Sequence, residues 1–489
     1  GVFSAQKYQY DRLYGASKDL SFNSLWYNLN GGAIESLSSN FSQWTMMSYV
    51  GRINYGLMDR YLLTASLRYD GSSRLSEGNK WALFPSAAIA WRITEEDFAK
   101  NLDWLSNLKL RFSYGQAGNT NSVSPYASEG TISGSVYYPF GTSTSVGNLP
   151  ANIANPMLTW ERTSEYNVGL DFGFLNQRIS GNIEYYNRTT NDLLMKRNIP
   201  VHLGYSSVTS NVGSVRNSGF ELQLNTANIM TKNFAWNTTI NLAYNKNEIV
   251  SLADEEDLSN YSIHLQGMRG RYSDKRFIGK PVDTNWTQNT IGVWQLGEEE
   301  EAAKYGCVPG NFKIKDYNND GKLTDDDYII DGKRTPDWTG GMTNMFKIYD
   351  FDFSFHMYFQ AGATQYDRFF ENFALEWNSQ NFNNLRTNYW TPENPSNTMG
   401  RPSQMGSRGN IAYERTDFLK VSYITLGYTL NKRLMSKWGL DNARIYVTVQ
   451  NPFILTKFRG LDPEQPDLTN IGDTDGMTMN ALLGVNISF

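Results

Sequence analysis

The amino-acid sequence predicts an all-β protein, namely a transmembrane antiparallel β-barrel with long extracellular loops and short periplasmic turns. Three observations predict this fold class. Aromatic residues make up 14% of the 489 residues and charged residues only 19%, whereas a typical soluble domain has about 25% charged residues. Apolar and polar residues alternate along many long segments. A run of about 18 apolar residues, which a transmembrane helix requires, occurs nowhere, so membrane crossing is expected through alternating strands.

The charge balance and the cysteine count exclude several classes of protein. Lys plus Arg total 44 and Asp plus Glu total 49, which gives a formal net charge of −5. A nucleic-acid binder would carry a basic excess, so nucleic acid is not an expected partner. One cysteine excludes an internal disulfide framework and a cysteine-rich metal site. The sequence starts at Gly1 without a signal peptide, and we therefore expect a mature or truncated chain.

Alternation with a period of two locates the strands. Between Arg60 and Asp70, one face is apolar and begins and ends with tyrosine, as expected where a strand crosses both membrane interfaces. A soluble antiparallel sandwich also alternates and is the alternative, but its strands are shorter than the roughly 9–11 residues of a tilted membrane strand. The pattern predicts about 14 strands: 2–11, 43–57, 59–71, 81–94, 107–118, 158–174, 177–190, 217–228, 233–247, 337–349, 350–362, 412–431, 441–452 and 478–489.

The connections between these strands predict their orientation. Long connections (12–42, 119–157, 191–216, 248–336, 363–411 and 453–477) mostly alternate with short ones (Met58, 175–176, 229–232 and 349–350). Outer-membrane barrels have long outer loops and short periplasmic turns, so the C-terminal Phe489 is expected on the periplasmic side. The inner link 95–106 is longer than the outer link 72–80 and is expected to hold a helical turn.

A series of segments, taken in order, carries a family resemblance. They are Asp59–Arg74 (DRYLLTASLRYDGSSR), Trp81–Glu96, Leu108–Asn119, Asn155–Phe174, Asn187–Leu194, Asn211–Leu224, Pro309–Asp327, Gly460–Glu464 (GLDPE) and the terminal Phe489. Together they resemble the SusC/RagA family of TonB-dependent outer-membrane transporters over nearly the whole chain. No single segment is decisive, and the joint order makes the resemblance specific.

The resemblance implies a barrel of about 22 strands around an N-terminal plug, of which about 14 strands are expected here. Residues 1–489 would then be the C-terminal part of the barrel. The plug, the TonB box and about eight strands would lie in a missing N-terminal half of the same protein, because an open sheet leaves two unpaired edges in hydrocarbon. Residues 248–336 would form one long extracellular loop.

The resemblance also implies a function, a location and partners. The function is active import of an oligosaccharide or a peptide, without catalytic residues. The implied partners are a SusD-like surface lipoprotein as lid, TonB–ExbB–ExbD acting through the missing N-terminal part, and lipid. The location is the outer membrane of a Gram-negative, Bacteroidetes-like bacterium. Two alternatives remain open: a TonB-dependent siderophore or vitamin receptor without a lid, and an outer-membrane hydrolase.

One segment has the ligand spacing of a calcium loop, at positions 316–327 of the long loop. Oxygen ligands are expected at loop positions 1, 3, 5, 7 and 12, with glycine at position 6 for the sharp turn. Asp at position 12 replaces the usual Glu, and the alternative is a polar turn without metal. A bound Ca²⁺ would have a structural role. The predicted ligands are Asp316, Asn318, Asp320, the Lys322 carbonyl and Asp327.

Other candidate residues are aromatic, acidic or titratable. Sugars stack on aromatic faces, so the loop residues Trp286, Trp294, Trp377 and Trp390 are candidate substrate contacts; the alternative is that they pack the loops together. The run Glu298–Glu301 is expected at a solvated helix start or on a solvated loop face. His356 shares a strand face with Ser354 and Asp352, yet side chains two residues apart do not form a catalytic triad, so we expect a hydrated lumen residue.

Overall fold

The computed structural model describes the chain except residues 23, 25, 201, 203, 206, 376–386, 403–406, 432–434, 436–438 and 466–476. One antiparallel sheet of 14 strands dominates, and its strands lie side by side in chain order. These are β1 (Val2–Lys18), β2 (Ala33–Leu57), β3 (Tyr61–Ser72), β4 (Trp81–Arg92), β5 (Leu105–Asn119), β6 (Glu161–Phe174), β7 (Ile179–Asn191), β8 (Ser214–Met230), β9 (Phe234–Ser251), β10 (Trp338–Ile348), β11 (Phe351–Ala361), β12 (Phe418–Thr429), β13 (Asn442–Thr456) and β14 (Asn480–Ser488). Each predicted strand is therefore present, and β1 and β14 are the two edges of the sheet. Some predicted bounds were wrong: β1 and β2 extend into the predicted loop 12–42, and the predicted strand 412–431 divides into Tyr413–Arg415 and β12.

Shorter elements occupy the long connections. Two hairpins are Ile132–Phe140 with Ser143–Pro150 and Leu194–Asn198 with Ser207–Asn211. The other short strands are Glu256–Asp257, Arg269–Arg271, Arg276–Phe277, Thr284–Gln288, Thr290–Val293, Phe312–Ile314, Tyr328–Lys333, Thr364–Tyr366 and Tyr413–Arg415. The helical elements are α1 (Glu299–Lys304), α2 (Arg368–Phe370), a π-turn at Glu371–Leu375 and 3-10 turns at Leu29–Gly31, Ile93–Glu95, Ile263–Leu265, Tyr272–Asp274 and Asp325–Asp327. Within the described residues, none of these helices has the length and apolarity to cross a membrane.

The short turns have the backbone that tight hairpins require. Met58 and Asp59 between β2 and β3 have φ of 53° and 54°, and Tyr349 between β10 and β11 has φ of 52°. Positive φ at the turn gives the twist that matches two antiparallel strands. The inner link after β4 contains the 3-10 turn Ile93–Glu95, which agrees with the expected helical turn.

One face of the sheet is apolar and exposed in the chain by itself. Along β13 and β14 this face pairs Ile445 with Val485, Val447 with Leu483 and Val449 with Ala481. Aromatic pairs lie towards strand ends, for example Phe351 with Tyr428 (4.7 Å between ring centroids) and Tyr244 with Trp338 (4.8 Å). An apolar face of this extent, with aromatic residues near both ends, is typical of the lipid-facing surface of a membrane barrel.

The chain divides into two compact units, which we describe separately. In the first (1–89, 113–166 and 188–214), Leu75, Ala82, Phe84 and Trp160 form a buried cluster. In the second (90–112, 167–187 and 215–489), three buried clusters lie in the connections that precede β10 and β12. The long connections are therefore packed structures with their own cores.

Candidate functional site

The face of the sheet opposite the apolar one, here called the polar face, carries a cluster of charges on β5, β6 and β7. Arg111 Nη2 contacts Asp171 Oδ1 at 2.8 Å and Glu184 Oε1 at 2.7 Å. Lys109 Nζ lies 2.6 Å from Asp171 Oδ2, and Asn167 Nδ2 donates to Glu184 Oε2 at 3.0 Å. Because all four charges are paired within one network, the cluster is nearly neutral and its geometry is fixed by several charge-assisted hydrogen bonds.

The Arg111 side chain crosses an intervening strand at a glycine. Arg111 is on β5 and Glu184 on β7, while β6 between them has Gly169 at the crossing. A Cβ atom at Gly169 would lie 2.9 Å from Arg111 Nη2 and 3.0 Å from its Cζ. The missing side chain therefore lets one guanidinium join three strands.

A second ion pair uses the same arrangement on β11, β12 and β13. Arg444 Nε and Nη2 contact Asp352 Oδ1 and Oδ2 at 2.8 Å and 2.5 Å, which is a bidentate pair. Gly427 lies between the two residues, and a Cβ there would come within 2.5 Å of both side chains. Arg444 thus lies on the polar face, and its sequence neighbour Ile445 lies on the apolar face.

A cavity of about 480 Å³ opens on the polar face, with β7 to β11 supplying its lining. Its polar lining includes Asn182, Gln223, Asn241, Glu221 and His356. His356 Nδ1 lies 2.9 Å from Thr343 Oγ1, and Asp352 is bound to Arg444. These side chains are therefore not arranged as a catalytic triad. Amide, carboxylate and imidazole groups in one cavity suit a hydrated, hydrogen-bonding ligand.

The predicted calcium loop is closed by its own backbone. Asp316 Oδ1 and Oδ2 accept the N–H groups of Asn319 (2.6 Å) and Gly321 (2.9 Å). Asp327, which is fully buried, accepts the N–H groups of Tyr317 (2.8 Å) and Thr324 (2.9 Å). The carboxylates at loop positions 1 and 12 are thus both turned into the loop.

The charge state of Asp316 follows from these contacts. Burial by itself would raise the pKa of Asp316, but the Gly321 N–H, the Tyr305 hydroxyl and the Asn319 N–H lower it below its ordinary value. The carboxylate is therefore ionised under ordinary conditions. Among the described residues, no three His, Cys, Asp or Glu side chains form a metal-binding group, and calcium binding stays a prediction.

The candidate tryptophans are mostly packed inside the loops. Trp390 is buried beside Val293 and Phe312, and its Nε1 donates to Gln295 Oε1 at 3.0 Å. Trp294 is buried in another cluster, with Lys313 Nζ 4.2 Å from its ring centroid. Trp286 is half-buried against Phe277. Trp377 lies outside the described residues. Packing of the loops, the alternative stated above, accounts for Trp294 and Trp390, so substrate stacking by them stays a prediction that requires the loops to open.

The acidic run and the cysteine have structural positions. Glu298 precedes α1 and bonds to Lys313 (2.8 Å), and three glutamates form the first turn of α1, as the charge run predicts. Negative charge at a helix start is favourable. Cys307 is buried, and burial raises the pKa of its thiol, which makes it a poor nucleophile.

Sequence reasoning missed two features of the molecule. The ion pairs that cross Gly169 and Gly427 had a signal in the sequence: a glycine on the polar face of an alternating strand. A cavity of about 310 Å³ lined by Arg334, Gln365, Tyr366, Arg368 and Tyr413 had none, because its residues come from two different connections and from positions far apart in sequence.

Comparison with known proteins gives the family. A family model described as "TonB dependent receptor-like, beta-barrel" matches residues 2–451. The TonB-dependent receptor P26 of Formosa agariphila is 33% identical over 471 residues, covering 93% of this chain and 47% of that protein. The TonB-dependent receptor SusC of Bacteroides thetaiotaomicron is 35% identical over 457 residues, covering 91% and 44%. The chain spans about half the length of the curated relatives it matches.

Solved structures show the same fold. The RagAB peptide transporter matches with a TM-score of 0.79 and 24% sequence identity, covering 100% of this chain and 52% of that chain. At this identity the likeness concerns the fold alone, and it agrees with the sheet of β1 to β14.

Proposed function

The chain belongs to the TonB-dependent receptor-like β-barrel family, and from this membership we propose that it forms part of the wall of an outer-membrane transporter that imports a large nutrient. The resemblance to SusC-type transporters is thereby confirmed at the level of the family. Members of this family are transporters and not enzymes, which agrees with the expectation that no residue here is catalytic.

The observation that carries the proposal is the two-sided character of the sheet. On β13, Ile445, Val447 and Val449 lie on the exposed apolar face, whereas Arg444 and Tyr446 lie on the polar face. A wall with one lipid-compatible face and one hydrogen-bonding face suits passage of a polar solute through a membrane.

The nutrient class and the partners belong to the same proposal. From the resemblance to the SusC/RagA family we infer that the nutrient is an oligosaccharide or a peptide; SusC itself is one relative of the chain. A SusD-like surface lipoprotein would act as lid, and TonB–ExbB–ExbD would act through an N-terminal part of the same protein. A siderophore or vitamin receptor without a lid is the second candidate.

Deletion of the full-length gene tests the import function. We expect loss of growth on one glycan or peptide source, restored by the full-length gene only when TonB is present. Affinity purification of the full-length protein should recover a surface lipoprotein. Unchanged growth on all such sources would contradict the import function, and purification without a lipoprotein would favour the second candidate.

We also propose that the loops after β9 and β11 are extracellular and that Phe489 is periplasmic. Cysteine at Glu393, an exposed residue of the loop after β11, should react with an impermeant thiol reagent on whole cells, and cysteine at Asp350 should not. Native Cys307 is buried and gives little background. The reverse pattern would invert the topology.

We propose, finally, that residues 316–327 bind one structural Ca²⁺. Asp327 Oδ1 and Oδ2 accept one N–H each, and a carboxylate oxygen with one such donor keeps a second lone pair for a cation. An extracellular loop needs a dissociation constant of only about 10⁻⁴–10⁻³ M. Chelator should increase proteolysis within 305–335, and Asp327→Asn should remove the effect of calcium. Equal cleavage with and without chelator would contradict the proposal.

A further inference from the structure

Within the second unit, a small polar cavity lies between two connections of the chain, the one that precedes β10 and the one that joins β11 to β12. Its volume is about 310 Å³, and it is lined by Arg334, Gln365, Tyr366, Arg368 and Tyr413. Tyr366 and Tyr413 are paired on neighbouring short strands, with their rings edge to face at 5.0 Å. The cavity therefore combines two guanidinium groups, two phenols and one amide, with no aliphatic side chain among its lining residues.

The two arginines differ in their contacts. Arg368 Nη1 binds Glu371 Oε2 at 3.0 Å and its Cζ lies 5.1 Å from the Tyr366 ring centroid, so its charge is already matched. Arg334 is exposed, and its guanidinium forms no ion pair with any residue that the structure describes. Arg334 is therefore the cation that remains available to a ligand in this cavity.

The nearby acids are engaged elsewhere. Glu371 Oε1 accepts from the Tyr366 hydroxyl at 2.5 Å as well as binding Arg368. Asp331, whose negative charge helps to raise the pKa of Tyr413, accepts from Asn410 Nδ2 at 2.8 Å. Burial raises the pKa of Tyr413 and of Tyr366, so both phenols stay protonated. The Tyr413 hydroxyl can then donate a hydrogen bond alongside Arg334.

We propose that this cavity binds the anionic group, a carboxylate or sulfate, of the imported nutrient, with Arg334 as the charged contact and Tyr413 and Gln365 as neutral donors. The inference rests on the proposed import function and narrows its substrate class to acidic nutrients. A planar guanidinium matches a carboxylate or sulfate through two parallel hydrogen bonds. The shared chemistry has two sources, an acidic sugar or a peptide C-terminus.

The test is calorimetric titration of the purified full-length protein with two pairs of probes. One pair is glucuronate and glucose, and the other is N-acetyl-alanyl-alanine and its C-terminal amide. The variants are Arg334→Gln and Tyr413→Phe. The matched control is Arg269→Gln, since Arg269 is an exposed arginine of the same connection that is paired with Glu255.

We expect the wild type and Arg269→Gln to prefer at least one acidic probe over its neutral counterpart by about tenfold or more. Arg334→Gln should abolish that preference and leave binding of neutral probes unchanged, and Tyr413→Phe should reduce it. Preference for glucuronate alone would identify an acidic sugar, and preference for the dipeptide acid alone a peptide terminus. Equal binding within both pairs, or an unchanged preference in Arg334→Gln, would overturn the inference.

A growth assay separates this inference from the import function. If wild-type cells show no TonB-dependent growth on any glycan or peptide, the import function fails. If they do, and Arg334→Gln cells grow equally well on acidic and neutral nutrients, the anion site alone is wrong.

Discussion

Strands β13 and β14 and the loop 252–337 place the same kinds of apolar side chain in opposite environments. On the strands, Leu483 is 75% exposed and Val485 55% exposed in the chain by itself. In the loop, Leu258, Leu265 and Phe277 are 0% exposed. The strands depend on lipid to cover their apolar face, whereas the loop covers its own. The apolar composition of a segment therefore does not show whether its side chains face lipid or a protein core. The period with which apolar residues recur is needed to tell the two apart.

The largest expected effect is on the loop cores. Trp390→Ala removes a buried side chain and its bond to Gln295, and should destabilise the loop structure by about 3–5 kcal/mol. Limited proteolysis should then cut within residues 290–315. The barrel should stay folded, as judged by its migration on gel electrophoresis without heating. Trp26→Ala is the control, because Trp26 is 78% exposed and its loss should change neither readout. If Trp390→Ala leaves the loop as resistant as the wild type, the loop does not have a core of this kind.

The second effect concerns the strands. Val447→Arg places a charge on the apolar face and should cost about 2–4 kcal/mol, whereas Thr448→Arg on the polar face should cost much less. Folding of full-length protein into lipid vesicles measures both. Equal losses for the neighbouring positions would contradict the assignment of the two faces.

A smaller effect is expected where Arg111 crosses β6. Gly169→Ala should displace the guanidinium and weaken its contacts with Asp171 and Glu184. The free energy of unfolding, measured by urea denaturation, should fall by about 1 kcal/mol. Gly51→Ala is the matched control, since a Cβ there meets nothing within 4 Å. Identical costs at the two glycines would show that the crossing contributes nothing to stability.

The smallest effect is the pH dependence of the calcium loop. The pKa of Asp316 is lowered in the folded loop, so its stabilising contribution is complete above the ordinary value of 3.8 and is lost as the pH falls through the lower folded value. The amides of Asn319 and Gly321 should therefore lose protection from hydrogen exchange, relative to an unstructured peptide at the same pH, below about pH 4 in the absence of calcium. In Asp316→Asn this change below about pH 4 should be absent. If the variant still shows it, the titrating group is another carboxylate.

The sequence predicted the sheet well because its signals are local. Alternation along ten residues located β10 and β11, and the spacing between alternating segments located the short turns between strands. The loop interiors were not predictable, because their contacts join distant residues: Trp390 and Gln295 are 95 positions apart. Trp294 and Trp390 were candidate substrate contacts because they are aromatic loop residues. Both are buried in loop clusters, and substrate stacking by them stays a prediction. Asp316 and Asp327 were predicted from spacing, since an oxygen-rich loop of this kind is encoded within 12 consecutive residues.

The two ion pairs that cross a strand have a mechanical consequence. A force that draws one strand lengthwise past its neighbours loads every interstrand hydrogen bond at once, and a slip of one residue would invert the facing of each side chain. Arg111 and Arg444 each tie together strands that are not adjacent, across Gly169 and Gly427. These ion pairs oppose such a slip in addition to the hydrogen bonds between adjacent strands. Sliding of any one of these strands is therefore opposed across three strands at once.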